Sequence, residues 1–276
     1  MQNSESRPRE NSEIISREAG LQILAEIATS IGRNHHLIRS DAITGFMAMQ
    51  GRHYNNKLMV IGRAVNGWTK ETWEPKSLGA ADSVQGFVDG ILMSVTAAES
   101  CPMQWVSKAW GNRLTARPSN WNYVGNQDYN TRKSAFWRVI RSVVGELRLA
   151  NVEDDSWPSH LVWSNLYKIS PAAGRNPPAK MCSLQREDCI SLLEMEIQIY
   201  KPRRILFLTG LNWADPFLKR IAPNICPVPN SYLVHAAGTF SRGTSDACTV
   251  VVATHPERKP ETEWVQEVIQ AFRTPN

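Results

Sequence analysis

Residues 161–210 read LVWSNLYKISPAAGRNPP, then a stretch ending EMEIQIYKP, then RRILFLTG. The first block is an apolar strand over 161–167 that carries a single asparagine, Asn165. A proline-rich loop follows, then apolar residues at helical spacing over 184–200, then a second apolar run over 204–209. Two short apolar runs joined by a helix suit parallel strands, because parallel neighbours need a long crossover and a helix supplies it. This block constrains the chain to an α/β sheet. It also puts a polar amide at the carboxyl end of a central strand, where open α/β sheets bind their ligands.

The same pattern extends outward. KLMVIG (57–62) and TVVVA (249–253) read as further buried strands, and a fourth short strand is expected at 232–235. Helical periodicity covers 14–38, with Leu21, Leu24, Ile27 and Ile31 in phase, then 132–147 and 261–272. Residues 1–12 are polar, without periodic apolar positions, and read as a disordered tail. Residues 69–130, with scattered Trp, Gly and Asn, read as an irregular insertion. Composition shows no break, so one domain over 13–276 is expected. Alternating strands and helices predict an α/β fold, a three-layer sandwich around a central, mostly parallel four-stranded sheet.

Composition narrows the function classes. The 276 residues are 42% hydrophobic, enough for a substantial core, and 31 basic against 26 acidic residues permit a polyanionic partner without demanding one. Five cysteines, an odd number with no CxxC spacing, argue against a disulfide framework or zinc knuckle, so no metal is expected. No 18-residue apolar run is present and the N-terminus lacks an apolar signal core. The expectation is a cytoplasmic, monomeric protein with no membrane association.

Three strand ends carry polar residues that bear on chemistry: 62–68, 165–168 and 255–259. A lone asparagine or histidine at such a place is usually a turn former or a satisfied hydrogen-bonding group. In a parallel sheet, however, all three would meet at one edge, and that convergence is better evidence than any single residue.

The order strand–GxxxxG, strand–Asn–loop–helix–KPxxIxxLTG and strand–THPxxxK resembles the uracil-DNA glycosylase superfamily. The likeness covers about residues 57–68 and 132–272, and SNLYKISPAAGRNPP with KPRRILFLTG carries most of it. The resemblance implies a glycosylase-like fold and a monofunctional DNA glycosylase that flips a pyrimidine, hydrolyses its N-glycosidic bond and leaves an abasic site. Carried over, Asn165 reads the Watson–Crick edge of the base, with Gly62, Ala64 and Gly67 lining it. His255 donates to the base carbonyl as negative charge develops. Pro256, Glu257, Arg258 and Lys259 form the loop that enters the duplex, while Lys168, Arg175, Arg132 and Lys133 contact DNA, with Pro171, Pro177 and Pro178 pressing on its backbone. The iron–sulfur branch needs four cysteines, one just after the lysine of the asparagine strand. Here Ile169 follows Lys168, so no cofactor is expected.

The division of labour is physically sensible. An enzyme acting on a base must take it out of the stack, and so needs a polar reader and a loop to fill the gap. Breaking the bond leaves an oxocarbenium-like sugar and an anionic base, which a neutral histidine donor stabilises.

Two departures from the family pattern stand out. Where the family places an Asp or Asn to hold the attacking water, this chain has Ala64. Asn66 is the nearest polar candidate, Asp82 and Asp128 are others, and impaired hydrolysis is the remaining alternative. The bulky tyrosine that excludes C5-substituted pyrimidines is replaced by Asn66–Gly67. A C5-modified base, such as glucosylated hydroxymethylcytosine in phage DNA, is therefore a candidate substrate, with antiviral defence as one setting and DNA repair of uracil as another. Basic residues interleaved with Trp105, Trp110, Trp121 and Trp137 suit a DNA groove or, equally, an insertion anchored to the core. Other readings are a binding module that has lost hydrolysis and an unrelated α/β hydrolase, the latter weakened by the lack of GxSxG, P-loop or GxGxxG motifs.

Overall fold

A computed structural model describes residues 7–65, 72–96, 102–110, 130–241 and 247–274, with side chains from residue 18 onward. In chain order the helices are α1 (Arg7–Arg33), α2 (Ala81–Thr96), a single turn α3 (Trp105–Lys108), α4 (Ala135–Glu146), α5 (Ala179–Tyr200), α6 (Leu211–Ile221) and α7 (Glu261–Arg273). The strands are β1 (Ile43–Gly45), β2 (Met49–Gln50), β3 (Met59–Gly62), β4 (Val162–Asn165), β5 (Ile169–Pro171), β6 (Arg204–Phe207), β7 (Cys226–Pro227), β8 (Val234–Ser241) and β9 (Ala247–Ala253).

The class is mixed α/β, as the sequence implies, but the sheet has seven strands rather than four, in the order β2-β4-β3-β6-β9-β8-β7. The pairs β4/β3, β3/β6 and β6/β9 are parallel. The outer pairs β2/β4, β9/β8 and β8/β7 are antiparallel. The run expected at 232–235 is thus the start of an eight-residue strand that runs back along β9. A second small sheet joins β1 to β5, so Lys168 leads into a strand before the proline loop begins.

Inner strands alternate their apolar side chains between two cores. Met59, Ile61, Ile205, Phe207, Val250 and Val252 pack with α1, α2, α5 and α6. Val60, Leu206, Leu208, Val251 and Ala253 pack with α4 and α7 on the other face. Burial on both faces explains why these strands are nearly all apolar.

Several elements differ from the expectation. α1 begins at Arg7, within the segment read as a tail, and ends at Arg33 instead of 38; residues 1–6 lie outside the described residues. α2 lies in the supposedly irregular insertion. Its Val84, Phe87, Val88, Ile91 and Val95 are buried at helical spacing, a period that Gly86 and Gly90 disguise. α6 contains Pro216, which reads as a breaker, yet Ala214, Phe217, Leu218 and Ile221 bury its inner face and offset that cost. Among the described residues, no helix is long and apolar enough to cross a membrane.

Candidate functional site

The parallel strands β4, β3, β6 and β9 end along one edge, in register Gly62↔Asn165, Ile61↔Phe207 and Phe207↔Val252. β8 is antiparallel, so its first residues reach the same edge, with Val234 opposite Ala253. From β4 to β9 the edge spans three strand spacings, about 14 Å.

Asn165 closes β4 and is only 1% exposed, and among the described residues its Nδ2 has no hydrogen-bond partner. Buried amide donors are nearly always paired, so an orphan at a ligand-binding edge points to a group that a ligand completes. Its neighbour across the strand pair is Gly62, where a Cβ would collide with Asn165 Oδ1 and lie 3.5 Å from Phe136 Cε2. Only glycine lets the amide lie over the β3 backbone. The backbone beyond is held as well, with Leu166 N donating to Gly62 O at 2.9 Å and Tyr167 N to Arg63 O at 3.0 Å.

A buried polar network fixes β4 from beneath. Lys168 Nζ donates to Ser164 Oγ and to both Glu196 oxygens, each at 2.8 Å; Glu196 also accepts from Ser164 Oγ at 2.6 Å and Ala48 N at 3.1 Å. Gln185 Oε1 accepts from Lys168 N at 3.1 Å and Ile169 N at 3.0 Å. Lys168 is 0% exposed, so the expected DNA contact is corrected: its charge is spent on Glu196 of α5, and it cannot reach a phosphate. It is a structural residue that positions the asparagine strand.

His255 follows β9, and Glu257 N donates to its Nδ1 at 3.3 Å. With Nδ1 accepting, the neutral ring carries its proton on Nε2, as a donor. Burial, aided by the positive charge of Arg63 and opposed by Glu257, pushes its pKa below 6.5. Residues 256–259 form a tight turn, with Lys259 N donating to Pro256 O at 3.1 Å and Arg258 at φ 58°. Glu257, Arg258 and Lys259 are exposed.

Two residues that the sequence reading passed over sit at the same edge. Arg63, directly after β3, donates from Nε to Thr209 O at 2.9 Å and lies over the Trp213 ring, 5.4 Å from its centroid. His235, near the start of β8, accepts from Leu211 N on Nδ1 at 3.0 Å. Each had a signal: a charged residue just past a strand-ending glycine, and one histidine in an otherwise apolar YLVHAAG. What the sequence withheld was the direction of β8.

Of the remaining expected site residues, Asn66 and Gly67 lie outside the described residues, as do Trp121 and Asp128. Ala64 is half-buried and packs against the core, so it brings no polar group. Asp82 is exposed in the first turn of α2. Arg175, Arg132 and Lys133 are exposed, the last two on a turn before α4. Arg138 is taken by Glu261, with Nε donating at 3.0 and 3.1 Å. Trp105, Trp137 and Trp163 form a buried aromatic cluster with centroids 5.2–5.6 Å apart, so these tryptophans anchor the core and are no stacking platform. Cys182 and Cys189 are buried free thiols, and Cys248 is buried as well. No group of three or more His, Cys, Asp or Glu residues among the described residues has the arrangement to hold a metal ion.

Comparison of the chain with protein-family models and with curated proteins finds no match.

Proposed function

We propose that the protein is a monofunctional DNA glycosylase, acting on a flipped modified or damaged pyrimidine. The observation that carries this reading is the buried, unpartnered Nδ2 of Asn165, set over Gly62 on the edge that also holds His255. An asparagine amide offers an acceptor and two donors, the set needed to read a pyrimidine's Watson–Crick edge. The finer architecture belongs to the same proposal: a uracil-DNA-glycosylase-like sandwich whose site-bearing part is the parallel run β4-β3-β6-β9.

In this reading the C1′–N bond breaks and its electron pair leaves with the base. His255 Nε2–H donates to the base oxygen that gains the charge, and removing such a donor typically costs about 10²–10³ in rate. A water oxygen bonds to C1′, and its proton ends on the departing base or in solvent. Asn66 is the candidate to hold that water. The loop 256–259 fills the gap left by the base, while Arg132, Lys133, Arg175, Arg258 and Lys259 supply salt-dependent phosphate contacts. The absence of a tyrosine gate favours a C5-substituted base, and glucosylated hydroxymethylcytosine is our candidate.

A second reading, a binding module without hydrolysis, rests on Ala64, which puts a methyl group where the family holds its water. One experiment separates the two. Oligonucleotides bearing uracil, mismatched thymine or C5-modified cytosines, together with glucosylated phage DNA, are incubated with the protein and probed for alkali-labile abasic sites. Release from one of these, lost in Asn165→Ala and His255→Ala, is the expected result. Salt-dependent binding with no release would establish the binding module, and abasic sites persisting in both variants would overturn the site assignment.

A further inference from the structure

The guanidinium of Arg63 is half-buried and held in a single plane. Its Nε is pinned to Thr209 O, its face lies on Trp213, and Trp213 is in turn braced edge-on by Tyr167 at 5.8 Å. What remains is the outer edge with the N–H groups of both terminal nitrogens. Among the described residues no acceptor meets that edge, and no carboxylate lies within ion-pair distance. Burial pushes the arginine's pKa down, with the charge of Glu257 only partly opposing it. A cation kept in such a place without a counter-ion is costly unless a ligand brings one.

The place it faces is identifiable. One terminal nitrogen of Arg63 lies 4.0 Å from the point a Cβ on Gly210 would take, and His235 Cε1 lies 3.9 Å from the same point. Gly210 has φ +76° and no side chain, so the two groups flank an open notch at the start of α6. His235 accepts on Nδ1, which leaves its Nε2–H as a donor. The charge of Lys259 acts on this histidine. The amino end of α6 adds a partial positive charge. Donors and positive charge dominate the notch, and among the described residues Glu257 is the acidic side chain whose charge acts on Arg63.

We infer that Arg63 and His235 form a phosphate subsite over Gly210, one strand beyond the Gly62–Asn165 pair, and that it takes a phosphodiester of the strand whose base is read. The two parallel N–H groups of an arginine edge match two phosphate oxygens, which a lysine cannot do. A subsite adjacent to the reader anchors the nucleotide's backbone while its base enters the pocket. The choice of a strand phosphodiester over free phosphate rests on the DNA-glycosylase reading; the presence of a phosphate site does not.

The test uses the full chain, isotopically labelled, with inorganic phosphate titrated against chloride at constant ionic strength. The imidazole resonance of His235 should shift saturably, while His160, at the opposite end of the sheet, should not. Arg63→Gln should weaken the affinity roughly ten- to a hundredfold. Arg63→Lys should also weaken it, since it keeps the charge and loses the fork, and an unchanged Tm in either variant shows that the fold is kept. No shift at His235, or a shift that survives Arg63→Gln, would overturn the subsite. A second arm places single methylphosphonates along an oligonucleotide. Loss of affinity at one linkage in the wild type, absent in Arg63→Gln, assigns the strand phosphodiester. Indifference at every linkage together with saturable phosphate binding would refute that source and leave a free-phosphate site. Neither arm reads base release, so failure of the glycosylase reading leaves the phosphate titration interpretable.

Discussion

Replacing Lys168 with methionine separates a structural lysine from a DNA-binding one. The substitution removes three hydrogen bonds of 2.8 Å, two of them to Glu196, and among the described residues leaves that buried carboxylate with Ser164 Oγ and Ala48 N as its donors. Breaking one side of a buried pair costs about 3–5 kcal/mol, because the partner's charge is left uncompensated. Against a total stability of about 5–15 kcal/mol, that is a large fraction. For a chain of this size it corresponds to roughly 6–20 °C in Tm. Urea unfolding followed by circular dichroism measures the loss. The double variant Lys168→Met with Glu196→Leu should recover most of it, since a well-packed apolar replacement of a buried pair is often neutral. DNA binding by the folded fraction should keep its salt slope, whereas loss of a phosphate contact would lower it by about one. A Lys168→Met protein within about 1 kcal/mol of wild type, the value of an exposed pair, would refute the network's role. A reduced salt slope would restore the lysine to the proposed DNA interface.

Gly62→Ala places a methyl group where Asn165 Oδ1 sits. Stability should fall by about 1–3 kcal/mol and, under the proposed function, base release should collapse; a fully active variant in the release assay would sink the packing argument. Burial lowers the pKa of His160, His235 and His255 below the ordinary 6.5. The folded state then binds fewer protons than the unfolded one. Stability is therefore full above pH 6.5 and declines as pH falls through the lowered folded values; a Tm series from pH 7.5 to 5 that rises on acidification would contradict it. The thiols of Cys182 and Cys189 are pushed up to about 11 and about 12 by burial, while Cys226 is exposed. Iodoacetamide at pH 7.5 with mass-spectrometric mapping should label Cys226 before Cys182 and Cys189, and rapid labelling of Cys189 would contradict its burial.

Much of the fold is legible in the sequence where burial is complete on both faces. β3, β4, β6 and β9 appear as apolar runs because nearly all their residues are buried against one core or the other. α4 and α7 show their buried stripes at helical spacing. Asn165 and His255 stand out for the same reason: each is a polar residue closing an apolar run, which a sheet sends to a common edge. What sequence could not supply was partnership across the fold. Lys168 reads as solvent-facing until Glu196, 28 residues on, turns up on the inner face of α5. α2 and α6 needed the cores that accept Phe87 and Phe217, since local glycine and proline spoke against them. β8 runs antiparallel, and only that direction carries His235 to the edge where Arg63 waits. Local patterns report how much of a residue is buried; which groups then meet is decided by chain direction and packing, and those exist only in three dimensions.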